Sequence, residues 1–374
     1  MRWEGRALDV EDTSALPGMR QLAGFVRTVQ TPEFAGVTFH EVHSKSALNK
    51  VPGNSPMPFS WTINPYRGCT HGCVYCFARG THSYLEFDTG HDFDTQIVVK
   101  TNIGTVLRKE VSAPKWRREH VAMGTNTDPY QRAEGRYRLM PDIISALANN
   151  GTPFSILTKG TVLSRDLRLL EAAGSSVSVG IGVSLALLDP ELQATLEPGT
   201  PSPKARLEMV RKIRAAGLPC GVFIAPLLPY LTDTEEQIDA LVAELAEVGV
   251  TGVSGIGLHL RPGAREWFFH WLSINRPDLL PAYERLYSRG ANLPKDYRQA
   301  LSARIRAASA RHGLGPSAEE EMAGRNGGAR RSTEGRSAEQ ATGVPGDREA
   351  SFPRGSLPAA RGPAAQDVPN PVLF

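Results

Sequence analysis

The stretch Phe59-Ser-Trp-Thr-Ile63-Asn-Pro-Tyr-Arg-Gly-Cys69-Thr-His-Gly-Cys73-Val-Tyr-Cys76 decides how the rest of the chain is read. It begins as a short strand, Phe59–Ile63, and runs into a loop with three cysteines spaced Cys-x3-Cys-x2-Cys. Gly68 and Gly72 give that loop the positive φ it needs to fold round a compact centre. The fourth cysteine, Cys220, stands far downstream in the apolar run Leu218-Pro-Cys-Gly-Val-Phe-Ile224 and reads as a small buried hydrophobe. Four cysteines are too few for a disulfide framework, and such a cluster in a reducing compartment points to metal or redox chemistry. Structural zinc sites usually draw a second ligand pair from another knuckle; the extra donors here are only His71, pinned inside the loop, and Cys220. A [4Fe–4S] cluster on three thiolates instead leaves one iron without a protein ligand, open to a substrate or cofactor.

Outward from the loop, the pattern becomes regular. Apolar, β-branched runs recur at His120–Met123, Phe154–Leu157, Val177–Leu185, Gly221–Ala225 and Val250–Leu258. Helical patterns lie between or after them, at Tyr137–Ala148, Ser164–Ala173, Pro203–Ala216 and Thr234–Val248. Asp233 and Glu236 are spaced as a capping box, and Gly174, Gly217 and Gly249 stand where helix C-termini need glycine. Alternating strand and helix predicts βα units on a parallel sheet. With Phe59–Ile63 the count is six, short of the eight of a closed barrel, so the expected fold is α/β, a partial (β/α)6 barrel with chemistry at the C-terminal strand ends.

The remaining segments frame that unit. Residues 1–57 hold short β-like pieces (Phe25–Thr28, Gly36–His43) and read as a leader packing on the core; 58–262 is the barrel; 263–315 carries terminal helices. Residues 316–374 contain 8 Gly, 7 Pro, 7 Arg and 8 acidic residues, too little apolar surface to offset ordering entropy, and read as a disordered tail. Across all 374 residues, 41% hydrophobic and 22% charged composition is that of an ordinary globular chain, which excludes collagen, coiled coil and full-length disorder. A net charge of +3 is not the footprint of a dedicated nucleic-acid binder. No apolar run reaches the ~20 residues of a membrane span, and Met1–Val10 lacks a secretory apolar core, so a cytoplasmic protein is expected.

With the βα frame in place, the cysteine loop resembles that of the radical S-adenosylmethionine (SAM) superfamily. Asn64-Pro-Tyr-Arg-Gly-Cys69, Thr81-His82, Gly124-Thr-Asn-Thr-Asp-Pro-Tyr130, Leu157-Thr-Lys159 and Leu196-Glu-Pro198 resemble the branch related to spore photoproduct lyase, often labelled DNA-repair-photolyase-like. The likeness runs from about Phe59 to Leu260. It implies that Cys69, Cys73 and Cys76 hold three irons of a [4Fe–4S] cluster whose fourth iron binds SAM. It implies reductive cleavage of SAM to a 5′-deoxyadenosyl radical that abstracts hydrogen from a substrate, with nucleic acid as one substrate class and a flavodoxin- or ferredoxin-type reductant as partner. By the same likeness Tyr75 occupies the adenine-contacting position, Thr127 and Asp128 the stretch that binds the methionine amine, and Lys159 and Ser184 the positions that reach carboxylate and ribose. The resemblance names no catalytic side chain of this protein. One position departs from it: where the lyase has a hydrogen-donating cysteine, this chain has Thr125, and an O–H bond is a poor hydrogen-atom donor.

Other features admit plainer readings. The rival to an enzyme is a non-catalytic iron–sulfur or zinc protein that binds nucleic acid; the polar set Thr127, Asp128, Lys159 and Ser184 at strand ends argues against it. Arg108-Lys109 and Lys115-Trp116-Arg117-Arg118 have the composition of a phosphate-contacting patch with a stacking aromatic, but a solvated helix end is the more frequent explanation of such a stretch. His82 and Glu86 are spaced to share a helix face. Tyr66 and Phe77 read as packing around the cluster.

Overall fold

The computed structural model describes residues 24–52 and 57–315; the tail expected at 316–374 lies outside the described residues, as do 1–23. Among the described residues, eleven strands form two sheets: β1 Phe25–Gln30, β2 Thr38–Val42, β3 Leu48–Lys50, β4 Trp61–Ile63, β5 Tyr66–Arg67, β6 Gln96–Lys100, β7 Val121–Met123, β8 Phe154–Thr158, β9 Val179–Ser184, β10 Gly221–Leu227 and β11 Gly252–Gly257. The larger sheet has the order β11-β10-β9-β8-β7-β4-β3. Its six strands from β4 to β11 run parallel in chain order, and β3 adds an antiparallel edge beside β4. This is the expected six-unit open barrel.

Each crossover helix buries one stripe against the sheet. Met140–Asn149 buries Met140, Ile143, Ile144 and Leu147, and Glu235–Glu247 buries Ile238, Leu241, Val242 and Leu245. Both are the i, i+3, i+4, i+7 pattern of an amphipathic helix on a core. The start of Glu235–Glu247 differs from expectation by one residue. Thr234 caps it and Gln237 closes the box. Asp233 is withdrawn into the interior, where it accepts from the Tyr230 amide and the Tyr297 hydroxyl. Gly217 and Gly249 have the φ of +75° expected after a helix, whereas Gly174 is the last residue of its helix, Leu167–Gly174.

The open edge at β11 is covered by the terminal helix Lys295–Arg311. A Cβ at Gly255 would stand 1.9 Å from Ile305 Cδ1, and one at Gly257 2.7 Å from Leu293 Cδ1. Two glycines on one face of an edge strand thus admit the C-terminal segment at contact distance. The hydroxyls of Tyr283 and Tyr287 reach back to the Pro229 and Leu258 carbonyls.

The smaller sheet, in the order β1-β2-β6-β5, matches expectation only in half. Its strands β1 and β2 are the β-like pieces near the N-terminus, but β6 comes from the segment after the cysteine loop and runs parallel to β2. Short β5 joins the cysteine loop to β6, so this sheet braces the loop from outside.

The basic stretch lies beyond it. Trp116 is not offered for stacking: its Nε1 donates to Thr152 Oγ1 at 2.8 Å and its ring meets Trp61 edge-on. His82 and Glu86 do not pair. His82 is buried against Phe87 and Phe93 with Nε2 on the Gln96 carbonyl, while Glu86 has φ of 60° beyond the 3₁₀ segment Phe77–Leu85. Among the described residues no helix is long and apolar enough to cross a membrane.

Candidate cofactor site

A cleft lies at the C-terminal ends of the parallel strands. All eight residues singled out in the sequence line it: Cys69, Cys73, Cys76, Tyr75, Thr127, Asp128, Lys159 and Ser184. They come from four strand ends, which the parallel order brings side by side.

The cysteine loop is held mainly through its backbone. The Cys69 amide donates to the Phe93 carbonyl, and the Gly72 and Cys76 amides turn back onto Cys69 and Cys73. Gly68 and Gly72 adopt φ of +80° and +62°, as the loop requires. Gln131 grips the loop twice, accepting from the Thr70 amide at 2.8 Å and donating to the Gly68 carbonyl at 3.1 Å. Fully buried Arg79 donates through Nε and Nη2 to the Cys73 carbonyl and pairs with Asp94 at 2.9 Å. The three thiols are free, and burial pushes each of them up. At Cys69 the Asp128 carboxylate and the two neighbouring thiols add to that effect; at Cys73 Glu197 adds while Lys159 and Arg206 oppose it.

Three thiolates this close and this dry stay ionised only around a positive centre, so the donor set suits a soft metal centre. No three His, Cys, Asp or Glu side chains among the described residues converge as ligands of a single ion. A cubane asks less, because each thiolate meets a different iron. The residues present therefore fit a three-cysteine iron–sulfur cluster better than a mononuclear zinc site.

Beside the loop, the polar groups are already committed to partners. Asp128 Oδ1 accepts from the Tyr130 amide at 2.8 Å and the Thr158 hydroxyl at 2.6 Å; Oδ2 accepts from the Lys159 amide at 2.7 Å and lies 3.3 Å from His71 Nδ1. Burial alone would raise this carboxyl, but His71 and the amide and hydroxyl donors hold it below the usual range. His71 is 2% exposed and its Nε2 has no partner among the described residues. Thr127 Oγ1 donates to the Tyr66 carbonyl. Lys159 Nζ donates to Ser184 Oγ at 2.6 Å and lies 3.1 Å from Glu197 Oε1. The Tyr75 hydroxyl donates to the same Glu197 oxygen.

Sequence reasoning missed Glu197, Arg206, Gln131 and Arg79 as parts of this site. For Arg206 a signal existed. It stands four residues before Val210 and seven before Ile213, on the buried stripe of Pro203–Ala215, where a solvent-facing arginine is out of place. Thr125, the residue at the donor position, is half-buried and does not line the cleft; its neighbour Asn126 does. Cys220 is fully buried away from the cleft, as expected of a core residue.

A sequence profile described as the radical SAM superfamily matches residues 63–253. An uncharacterized protein of Mycobacterium tuberculosis is 56% identical over 309 residues, covering 82% of this chain and 91% of its own length. An uncharacterized protein of Acidianus two-tailed virus is 31% identical over 209 residues, covering 54% of this chain and 68% of its own. Among solved structures, spore photoproduct lyase complexed with dinucleoside spore photoproduct superposes with a TM-score of 0.56 at 17% identity, over 73% of this chain and 79% of that one. A mutant of the same lyase with bound AdoMet gives 0.55.

Proposed function

The chain belongs to the radical SAM superfamily, and we propose that it cleaves SAM reductively at this cleft to abstract hydrogen from a substrate other than a photoproduct repaired by cysteine donation. The observation that carries the reading is the convergence of three free thiols, those of Cys69 and Cys73 buried and that of Cys76 half-buried, with the polar ends of three further strands on one cavity. A [4Fe–4S] cluster and SAM are the cofactors of this family, and when bound they supply one-electron cleavage of a sulfonium and a 5′-deoxyadenosyl radical.

The chain's own groups divide the remaining work. Cys69, Cys73 and Cys76 hold the irons. Lys159 and Ser184 offer a cation and a hydroxyl to the methionine carboxylate and the ribose. Tyr75, beside the last cysteine, borders the adenine. Thr127 and Asp128 shape the pocket for the ammonium, Asp128 chiefly by fixing the Lys159 backbone and the Thr158 hydroxyl. The apolar wall of Phe77, Leu157, Pro226, Ile256 and Leu258 keeps water from the reactive carbon. The electron comes from an outside reductant of the flavodoxin or ferredoxin type.

Nucleic acid is the substrate class that the fold likeness supports, with His259, which lines the cleft, and Arg261, which donates to it, as its polar contacts. Repair by the lyase's terminal step is not part of the proposal. Beyond the three cluster cysteines, no thiol among the described residues lines the cleft, and Thr125 stands where the donor would be. The test is anaerobic reconstitution and reduction, followed by chromatography for 5′-deoxyadenosine. The expected result is slow formation without substrate, and no intact thymine pairs from photoproduct DNA. A protein with a verified, reducible cluster that forms no 5′-deoxyadenosine would instead favour the non-catalytic binding protein.

A further inference from the structure

We propose that Glu197 is a positioning residue: its buried carboxylate holds the Lys159 ammonium in place for an incoming carboxylate and ties the cysteine loop to it through Tyr75. The inference rests on the reading of the cleft as a SAM site.

Glu197 has no exposed surface and follows the helix Pro190–Leu196. One carboxylate oxygen takes the Tyr75 hydroxyl and lies 3.1 Å from Lys159 Nζ. The other accepts from Arg206 Nη2 at 2.5 Å and from Thr200 Oγ1 at 3.2 Å. Arg206, equally buried, donates from Nη1 to the Ser184 carbonyl at 3.0 Å, and the Ser184 hydroxyl accepts from Lys159 at 2.6 Å. The contacts close a ring, Lys159–Ser184–Arg206–Glu197, with the cysteine loop attached at Tyr75. Four separate segments of the chain meet at one carboxylate.

The charges in this ring do not cancel. Lys159 and Arg206 bring two positive charges, Glu197 brings one negative, and Tyr75 enters only as a hydroxyl donor to Glu197. Burial would raise the Glu197 carboxyl, but Arg206 and Lys159 hold it far below the usual range. One positive charge is left over. It resides toward the cleft, since the Lys159 side chain keeps 13% exposure and Arg206 none. A ligand carboxylate supplies the missing charge. Without Glu197, two cations would face each other in a dry pocket and Lys159 would keep only the neutral Ser184 hydroxyl as a partner. Preorganised charge of this kind favours a ligand because little reorganisation is left to be done on binding.

The test compares SAM affinity by calorimetry in the reconstituted full chain for wild type, Glu197→Gln, Lys159→Met and the double variant. Glu197→Gln should keep its iron content while SAM binding weakens at least tenfold, and it should have no further effect on the Lys159→Met background. An equal loss in both backgrounds would mean a general structural role and overturn the proposal. Unchanged affinity in Glu197→Gln overturns it too. Where the glutamine variant does not fold, Glu197→Asp keeps the charge near Arg206 and shortens the reach to Lys159, and is read by the same two-background comparison. A wild type that binds no SAM overturns the underlying reading, and this proposal with it; a wild type that binds beside an unaffected Glu197 variant overturns this proposal alone.

Discussion

The two sides of the cleft are built on opposite principles. On the cysteine side each charged group is engaged before any ligand arrives: Asp128 with four donors, Lys159 with Ser184 and Glu197, Glu197 with Arg206 and Tyr75. On the side of β10 and β11 the lining is apolar, from Pro226, Ile256 and Leu258, and among the described residues its polar side chain is that of His259. His259 has Nδ1 at 2.8 Å from Asn292 Oδ1 and is joined by Arg261, whose guanidinium lies over Phe77. Burial and Arg261 lower the His259 imidazole, so its neutral form is favoured. A wall of fixed dipoles suits one ligand of constant chemistry, and an apolar wall suits exclusion of water around a reactive carbon. On the proposed function, the first wall would seat the cofactor and the second would face the substrate.

The contrast can be broken most severely at the thiols. Replacing Cys69, Cys73 or Cys76 singly by Ala should abolish cluster loading, read as iron and sulfide per chain; full loading in any one variant would remove that cysteine from the ligand set. Next in size is Asp128→Ala. It strips the acceptor from the Thr158 hydroxyl and from two backbone amides in a buried setting, and should lower stability by about 3–5 kcal/mol in denaturant titration. A loss below about 1 kcal/mol would show that the network is not preformed in solution. On the apolar side, Ile256→Ala should change the Kd for SAM by less than about threefold. A tenfold change would make that wall part of the cofactor seat. The smallest effect is expected at Cys220→Ala, with iron content unchanged and about 1 kcal/mol or less of stability lost; lost iron would make Cys220 a fourth ligand.

The same contrast explains what can be read in the sequence. Strand and helix patterns reveal β7 to β11 and their helices because each buries one periodic face, and the three cysteines announce themselves by spacing. The segment between Phe77 and Glu119 is opaque. Gln96–Lys100 offers only five residues, and its partner β2 lies more than fifty positions earlier, so nothing local marks it as the centre of a second sheet. Glu197 is visible only as part of the motif Leu196-Glu-Pro198. Its partner Tyr75 is 122 positions away, and the charge ring exists only once parallel strand order has brought β8, β9 and the cysteine loop together. Hydrophobic periodicity is local information; an ion network across strand ends is not.

The central claim is that three cysteines leave one iron open beside a prearranged polar wall. EPR of the anaerobically reduced protein, recorded with and without SAM, tests it most directly. The account predicts a [4Fe–4S] signal whose shape changes when SAM is added and whose change is diminished in Lys159→Met. A reduced-cluster spectrum indifferent to saturating SAM, or stoichiometric zinc with no iron after reconstitution, would contradict it.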